Sequence, residues 1–289
     1  MKRHEQSRTS ELIAVYRAIH AAQHEAPILV DPFAHKLVRP WWRLAARSRL
    51  LYALYRAAGI RLDPGIALCM ARSRIAEDRL DTLLRNGTPT QWVLLGAGLD
   101  MFAWRRPEHA DVPQFEVDHP ATQADKRRKL AALGLTPPTR HRFVPVNFEE
   151  ESASTKLGAA GFDPTVPAVF AWLGVTYYLT REAITATLRD LRSIAAPGSH
   201  LVFDYRAPDR HARPDELRLL ALGDRTFAKW GEPFVSLVEP DEWRTLARET
   251  GWRHVADHDH QAMVERFYKG RTDGLRPTTT YRVVELAAD

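Results

Sequence analysis

The sequence predicts an α/β fold: a doubly wound sheet with helices on both faces. Three observations predict it. Short apolar runs alternate with helical segments from about residue 90 to the end of the 289 residues, a rhythm typical of such sheets. The run Gln91-Trp-Val-Leu-Leu breaks into Gly96-Ala-Gly98, as a buried parallel strand does before a tight turn at a ligand. Asp118 closes the next apolar run, Gln114-Phe-Glu-Val-Asp, twenty residues after Gly98. That interval matches the carboxylate that holds a ribose in nucleotide-binding units.

In chain order, residues 11–25 read as an amphipathic helix, with Leu12, Ile13, Tyr16 and Ile19 on one face. Pro27, Asp31 and Pro32 break it, and Pro40 suits the first turn of a second helix. That helix is rich in Trp41, Trp42, Leu44, Leu50, Leu51 and Leu54, and Arg39, Arg43 and Arg47 recur along it every four residues. The simpler reading is a packed helix with a solvated arginine face; the other is a helix for a membrane surface or acidic partner. A long helix follows over 66–85, stopped by Asn86-Gly87. Strands are expected at 92–95, 114–118, 142–146, 168–172, 200–205, 252–257 and 281–287, with helices at 121–133, 181–195, 215–229 and 240–250. Residues 1–65 form an expected helical N-terminal lid on a 66–289 binding domain, and 206–240 an insertion near the acceptor. The aromatic residues Trp41, Trp42, Tyr52 and Tyr55 need burial over the cleft mouth.

Composition bounds the function. The chain is 45% hydrophobic and 27% charged, with a net charge of +5, ordinary for a globular protein that mildly favours anionic ligands. Acidic residues are interspersed with the basic ones, which argues against nucleic acid. The dense cluster Lys126-Arg-Arg-Lys129 reads as a solvated face. A lone cysteine, Cys69, permits no intrachain disulfide and fits a reducing cytosol. Met1 to Ser10 has no apolar core of the kind a secretory leader carries, and no apolar run suffices for a membrane span. A cytoplasmic location is the expectation. His254, His258 and His260, with Asp257 and Asp259, read as strand and solvated loop rather than a zinc site. Neither a Gly-x-Ser-x-Gly elbow nor a Walker loop occurs.

The glycine turn lacks a third glycine, since Met101 stands there. A dinucleotide pyrophosphate wants that glycine. S-adenosylmethionine, with ribose and adenine but no phosphate, does not, and its own carboxylate wants a cation.

Gly96-Ala-Gly-Leu-Asp100, Trp104-Arg105, Phe115-Glu-Val-Asp-His-Pro120 and Trp172-Leu-Gly-Val-Thr-Tyr-Tyr-Leu179 together resemble the leucine carboxyl methyltransferase family. The resemblance is greatest to its bacterial branch, which includes polyketide O-methyltransferases. Ala71-Arg-Ser-Arg-Ile-Ala-Glu-Asp78, Gly231-Glu-Pro-Phe234 and Arg271-Thr-Asp-Gly-Leu275 resemble further motifs of that branch. The resemblance spans residue 65 to the end. It implies a seven-stranded, mostly parallel, Rossmann-like class I methyltransferase sheet that uses S-adenosylmethionine. It implies that Arg72, with Arg74 as second choice, holds the methionyl carboxylate. The other expected alternative for Arg72 is a salt bridge to Glu77 or Asp78. Gly96, Gly98, Asp118 and the adjacent His119 then hold the nucleoside, and Asn147-Phe148 stands where the family usually has an aspartate at the adenine. Leu173 departs from the glutamate of eukaryotic members.

The reaction so implied is O-methyl transfer to a carboxylate of a small molecule or peptide terminus. A phenolic hydroxyl, or a non-catalytic nucleoside-binding role, is the alternative. Tyr177 and Tyr178, with Thr176, stand beside the fourth strand, where the acceptor would react. His119 is the nearest imidazole. Arg206, after the fifth strand, is the candidate docking cation; otherwise it balances Asp204 or Asp209 as a solvated arginine.

Overall fold

A computed structural model describes residues 8–57, 62–148 and 150–289, with the side chains of Tyr55 and Arg56 left out. Seven strands, β1 Gln91–Leu95, β2 Gln114–Asp118, β3 His141–Pro145, β4 Ala168–Trp172, β5 His200–Arg206, β6 Arg253–His258 and β7 Tyr281–Ala287, form one sheet. Its order is β3-β2-β1-β4-β5-β7-β6. β1 to β5 are parallel, while β7 runs antiparallel between β5 and β6. The chain reverses direction across the sheet between β1 and β4, the switch point where such sheets bind ligands.

The described helices are α1 Arg8–Gln23, α2 Ala34–Leu37, α3 Pro40–Arg47, α4 Arg49–Ala57, α5 Asp63–Arg85, α6 Phe102–Arg105, α7 Pro120–Ala132, α8 Ala153–Ala159, α9 Arg181–Ile194, α10 Leu217–Lys229, α11 Pro240–Glu249 and α12 His260–Met263. Alternation along β1 sorts the core into two layers, since successive strand side chains face opposite ways. Trp92 and Leu94 pack with α5 and the N-terminal helices. Val93 and Leu95 pack against the layer of α8, α9 and α11. Local chemistry sets the ends of these helices. Asn86 terminates α5, and Gly87 follows at φ +74°, a left-handed position that suits glycine. The Thr180 hydroxyl caps α9 by accepting from the Ala183 amide at 3.2 Å.

The expected second helix is two helices, broken at Ser48. The expected boundary at residue 65 falls inside the first turn of α5, and the core runs across it. Val15 and Ile19 of α1 are buried with Ala67 and Met70 of α5, each large aliphatic contributing about 1.5–3 kcal/mol. Tyr16 presses so close to Gly65 that a Cβ there would sit 2.6 Å from its ring. One expectation fails: Trp41 is not buried over the cleft but 53% exposed, stacked on Trp42 at 4.0 Å between ring centroids. Tyr52 is buried.

Candidate cofactor and acceptor site

Beyond the carboxyl ends of β1, β2 and β4 lies a cavity of about 640 Å³, within the range of small-molecule sites. Its floor is the glycine turn. Gly96 has φ +69°, and a Cβ there would land 2.5 Å from Val175 Cγ2. Gly98 has φ +51°, and a Cβ would meet Ser10 of α1 at 3.1 Å. Both positions therefore favour glycine for conformation, and Gly96 for space as well. Asp118, at the end of β2, accepts hydrogen bonds from the backbone amides of Gly98 and His119. Burial pushes its carboxyl up to about 6, against the pull of those amides and of Lys126. His119 lines the same wall, and its Nδ1 accepts from the Ala121 amide at 3.2 Å, capping α7.

Asn147, Phe148 and Leu173 also line this cavity. The Asn147 amide donates to Glu151 at 2.9 Å, which holds the loop after β3. Arg72 is buried on the cavity wall, and its partner is neither Glu77 nor Asp78. Its Nη1 donates to Asp204 at 2.7 Å and to the Tyr177 hydroxyl at 3.1 Å. Burial works against the Arg72 charge, but Asp204 holds its pKa well above the ordinary arginine value. Asp204 also accepts from the Gly174 amide at 2.6 Å, tying the turn after β4 to β5. Glu77 instead pairs with Arg105 and Arg106. Arg74 turns away from the cavity, with its Nε 2.7 Å from Asp78 and its side chain 40% exposed.

Sequence reasoning missed the roles of Arg17 and Asp100 on this wall and of Asp204 behind it. Arg17 of α1 lines the cavity and is held by Asp100 and, at 3.3 Å, by Ser73. Burial would raise the Asp100 carboxyl, but Arg17, Arg105 and Lys126 overcome it and hold it at about 2. Asp204 stands behind the wall, bonded to Arg72 and to the Gly174 amide. Lys126, expected on a solvated face, is buried because Glu116 on β2 needs a counter-charge. Its ammonium also donates to the Asp100 carbonyl.

These residues fit S-adenosylmethionine. The Nε–H groups of Arg17 and Arg72 are buried beside the cavity without a hydrogen-bond partner among the described residues, and a methionyl carboxylate would supply one. The glycine cradle admits a nucleoside, and Asp118 offers acceptors for ribose hydroxyls.

A second, smaller cavity of about 130 Å³ adjoins the first, and Thr9, Ile13, Arg72 and Tyr178 line both. Its other walls come from α1, α5, α10 and the segments around Phe234 and Tyr281. Tyr177 lies here, its ring 4.9 Å from that of Phe234. Arg206 lines this cavity too, but it is neither solvated nor a free cation. It is buried, with its two Nη groups engaged by Asp209 and Asp224 and its guanidinium over the Phe234 ring. The Val235 amide donates to the Tyr177 carbonyl at 2.7 Å, and Thr9 donates to Glu232. The start of α1 and residues 231–236 thereby roof the junction.

The sheet order and the glycine turn define the class: a Rossmann-like methyltransferase fold with a cavity at its switch point. The chain belongs to the leucine carboxyl methyltransferase family, whose sequence model matches residues 10–192. It is an S-adenosylmethionine-dependent methyltransferase. It is 31% identical over 316 residues to the Bacillus subtilis (strain 168) protein named "Putative S-adenosyl-L-methionine-dependent methyltransferase YktD", covering 98% of each chain. A Mycobacterium avium (strain 104) protein of the same description without the final symbol is 29% identical over 263 residues, 86% of each chain. In fold, the chain is similar to a duf574 family protein from Streptomyces avermitilis, with TM-score 0.61 and 14% identity over 96% of this chain and 97% of that one. It is also similar to a Thermobifida fusca protein described as a "putative methyltransferase", with TM-score 0.57 and 14% identity over 100% of this chain and 96% of that one.

Proposed function

We propose that the enzyme methylates a carboxylate oxygen of an apolar acid, a small molecule or a peptide terminus. The observation that carries this is the second cavity. It is contiguous with the cofactor cavity at Arg72 and Tyr178, mostly apolar, and among its described lining residues there is no histidine. Burial pushes the hydroxyls of Tyr16, Tyr177, Tyr178 and Tyr281 above the ordinary tyrosine value, which makes them poor bases at neutral pH. Asp224, the carboxylate there, is engaged by Arg206. An acceptor that enters already ionised needs no base, and a carboxylate does so.

S-adenosylmethionine, when bound, supplies an electrophilic methyl group. The chain's own contribution is alignment and exclusion of water. Arg72 and Arg17 would hold the methionyl carboxylate, Asp118 the ribose, and Asn147 with Phe148 the adenine. Leu173, Gly174 and Val175 leave the cavity side of the turn after β4 open, which supports catalysis over a merely nucleoside-binding role. Tyr178 stands where donor and acceptor meet. Arg206 braces the Phe234 wall. Residues 8–57 contribute the roof through α1, and 206–240 contribute the acceptor wall through α10.

The test is transfer of labelled methyl groups to a panel of apolar monocarboxylic acids and matched phenols, followed by mild alkali. Label released by alkali marks an ester and is expected. An alkali-stable product would overturn the carboxylate reading in favour of a hydroxyl acceptor.

A further inference from the structure

Helices α3 and α4 pass the protein core on one side and present the other to solvent. Ala45, Ala46 and Tyr52 face inward, and the Gln23 side chain of α1 donates to the Ala46 carbonyl at 2.8 Å. Outward stand Trp41, 53% exposed, Leu44 at 67%, Leu50 at 69% and Leu54 at 55%. Four large apolar side chains exposed on two successive helices are more than the scattered singles of an ordinary surface. Arg39, Arg47 and Arg49 are exposed among them. Arg43 is partly buried, its guanidinium donating to the carbonyls of His35 and Lys36 at 3.0 Å.

The charge distribution is as uneven as the polarity. Residues 32–62 contain seven basic residues, Lys36, Arg39, Arg43, Arg47, Arg49, Arg56 and Arg61, and no acidic one. The rest of the chain then holds 34 basic and 36 acidic residues, so the net charge of +5 comes wholly from this segment. One neighbour offsets it in part, since Glu11 of α1 pairs with Arg39 at 2.6 Å.

We propose that the α3–α4 face docks the enzyme on an anionic lipid surface. Basic residues flanking exposed tryptophan and leucine on an amphipathic helix are the chemistry of interfacial binding. The apolar side chains enter the acyl boundary, the arginines meet lipid phosphates, and arginine stems snorkel between. A second copy of this chain fits poorly, because two such faces would set the exposed Arg47 and Arg49 of one copy against those of the other. A nucleic acid would satisfy the arginines but leave four apolar side chains exposed. The face lies one helix from the active cavity, since α1 packs on α3 and lines both pockets. An enzyme seated this way would draw an apolar acid from the membrane phase. The docking itself does not depend on which atom is methylated.

The test is flotation of the full-length protein with phosphatidylcholine vesicles, with and without about 30 mol% phosphatidylglycerol. Binding is expected with the anionic vesicles at low salt, and its loss at about 0.5 M salt and with neutral vesicles. Leu44→Ser/Leu50→Ser/Leu54→Ser and, separately, Arg47→Glu/Arg49→Glu should each cut partitioning by about tenfold or more, while S-adenosylhomocysteine binding is retained. Should either multiple variant fold poorly, Trp41→Phe provides a milder check: it should remove a vesicle-induced blue shift of tryptophan emission. Absence of binding to anionic vesicles would overturn the proposal, as would binding unchanged in both multiple variants. So would soluble DNA that competes fully and binds the serine variant normally, or a dimer in light scattering that the serine variant dissociates.

Discussion

The two cavities that meet at Arg72 and Tyr178 are built from different kinds of chain. The proposed cofactor cavity is walled by strand ends and the turns directly after them: Gly96 and Gly98 after β1, Asp118 on β2, Asn147 after β3 and Leu173 after β4. Its chemistry is polar and held by paired charges. The proposed acceptor cavity is walled by helix faces and connecting segments, α1, α5, α10 and the stretches around Phe234 and Tyr281. Its chemistry is apolar and dispersed. A fixed ligand can be recognised by a few residues at fixed spacings, while shape selection by an apolar pocket needs many residues of interchangeable type.

The largest effect should come where the two cavities share a wall. Arg72→Ala leaves Asp204 buried beside Gly174 with no counter-charge. Removing one partner of a buried pair costs about 3–5 kcal/mol, and urea denaturation of the variant should show a loss of that order. Cofactor binding should fall as well. A variant of wild-type stability would mean that Asp204 is supported by other groups and that the wall is not shared in the sense described.

Within the cofactor cavity, Asp118→Ala should weaken S-adenosylhomocysteine binding by about 1.5–3 kcal/mol, measured by calorimetry, with little change in acceptor KM at saturating cofactor. The same carboxyl gives a pH signature with two opposite signs. Ribose hydroxyls favour the ionised form, so affinity should be steady above pH 7. It should then fall as pH drops below about 6, approaching tenfold per pH unit. The ligand-free fold behaves the other way. Because burial raises this carboxyl from 3.8 to about 6, its contribution to stability is present below 3.8 and is lost as pH rises through 6. Calorimetry in buffers of different ionisation enthalpy should show proton release on binding near pH 6. Affinity that is flat from pH 5 to 8 would remove Asp118 from the site.

On the acceptor side, Phe234→Ala removes the ring that touches Tyr177, Tyr178 and Phe227 and lies under Arg206. The expected result is an acceptor KM raised about tenfold, or about 1.4 kcal/mol, with cofactor affinity unchanged. If cofactor affinity moves equally, the two cavities are one site energetically.

The same contrast decided what the sequence could reveal. The seven strands were legible because each apolar run is bounded by glycine, proline or polar residues, and the placed strands agree with the structure to within one or two residues. Asp118 was legible from its spacing to Gly98. Asp204 was not, because its partner Arg72 is 132 positions away and nothing local distinguishes a carboxylate on β5 that meets α5. Arg17 was hidden for a related reason: on an isolated helix it reads as a polar-face residue, and only the fold sets it beside Asp100. For Arg206 the pairing with Asp209 was legible, three residues on, while its burial and its second acid, Asp224 on α10, were not. Trp41 was misread because apolar side chains are expected to find a core, and here the core is filled by the other face of the same helices.

Arg74 offers the smallest effect and the cleanest control on the comparison. It sits two residues from Arg72 on α5, close to one another in sequence and equally basic, so sequence alone leaves both as ligands for a carboxylate. A two-residue step on a helix turns the side chain through roughly 200°, which carries Arg74 from the cavity wall to the outer surface. There it forms an i,i+4 pair with Asp78, a carboxylate already bonded by Arg266. Exposed pairs of this kind are worth about 0.3–0.5 kcal/mol. Arg74→Ala should therefore lower the unfolding free energy by no more than that and leave calorimetric affinity for S-adenosylhomocysteine within error of wild type, at any pH and with any acceptor. A loss of affinity comparable to that of Asp118→Ala would mean that the carboxylate clamp reaches round α5, and that charge rather than orientation decides which arginine serves the cofactor.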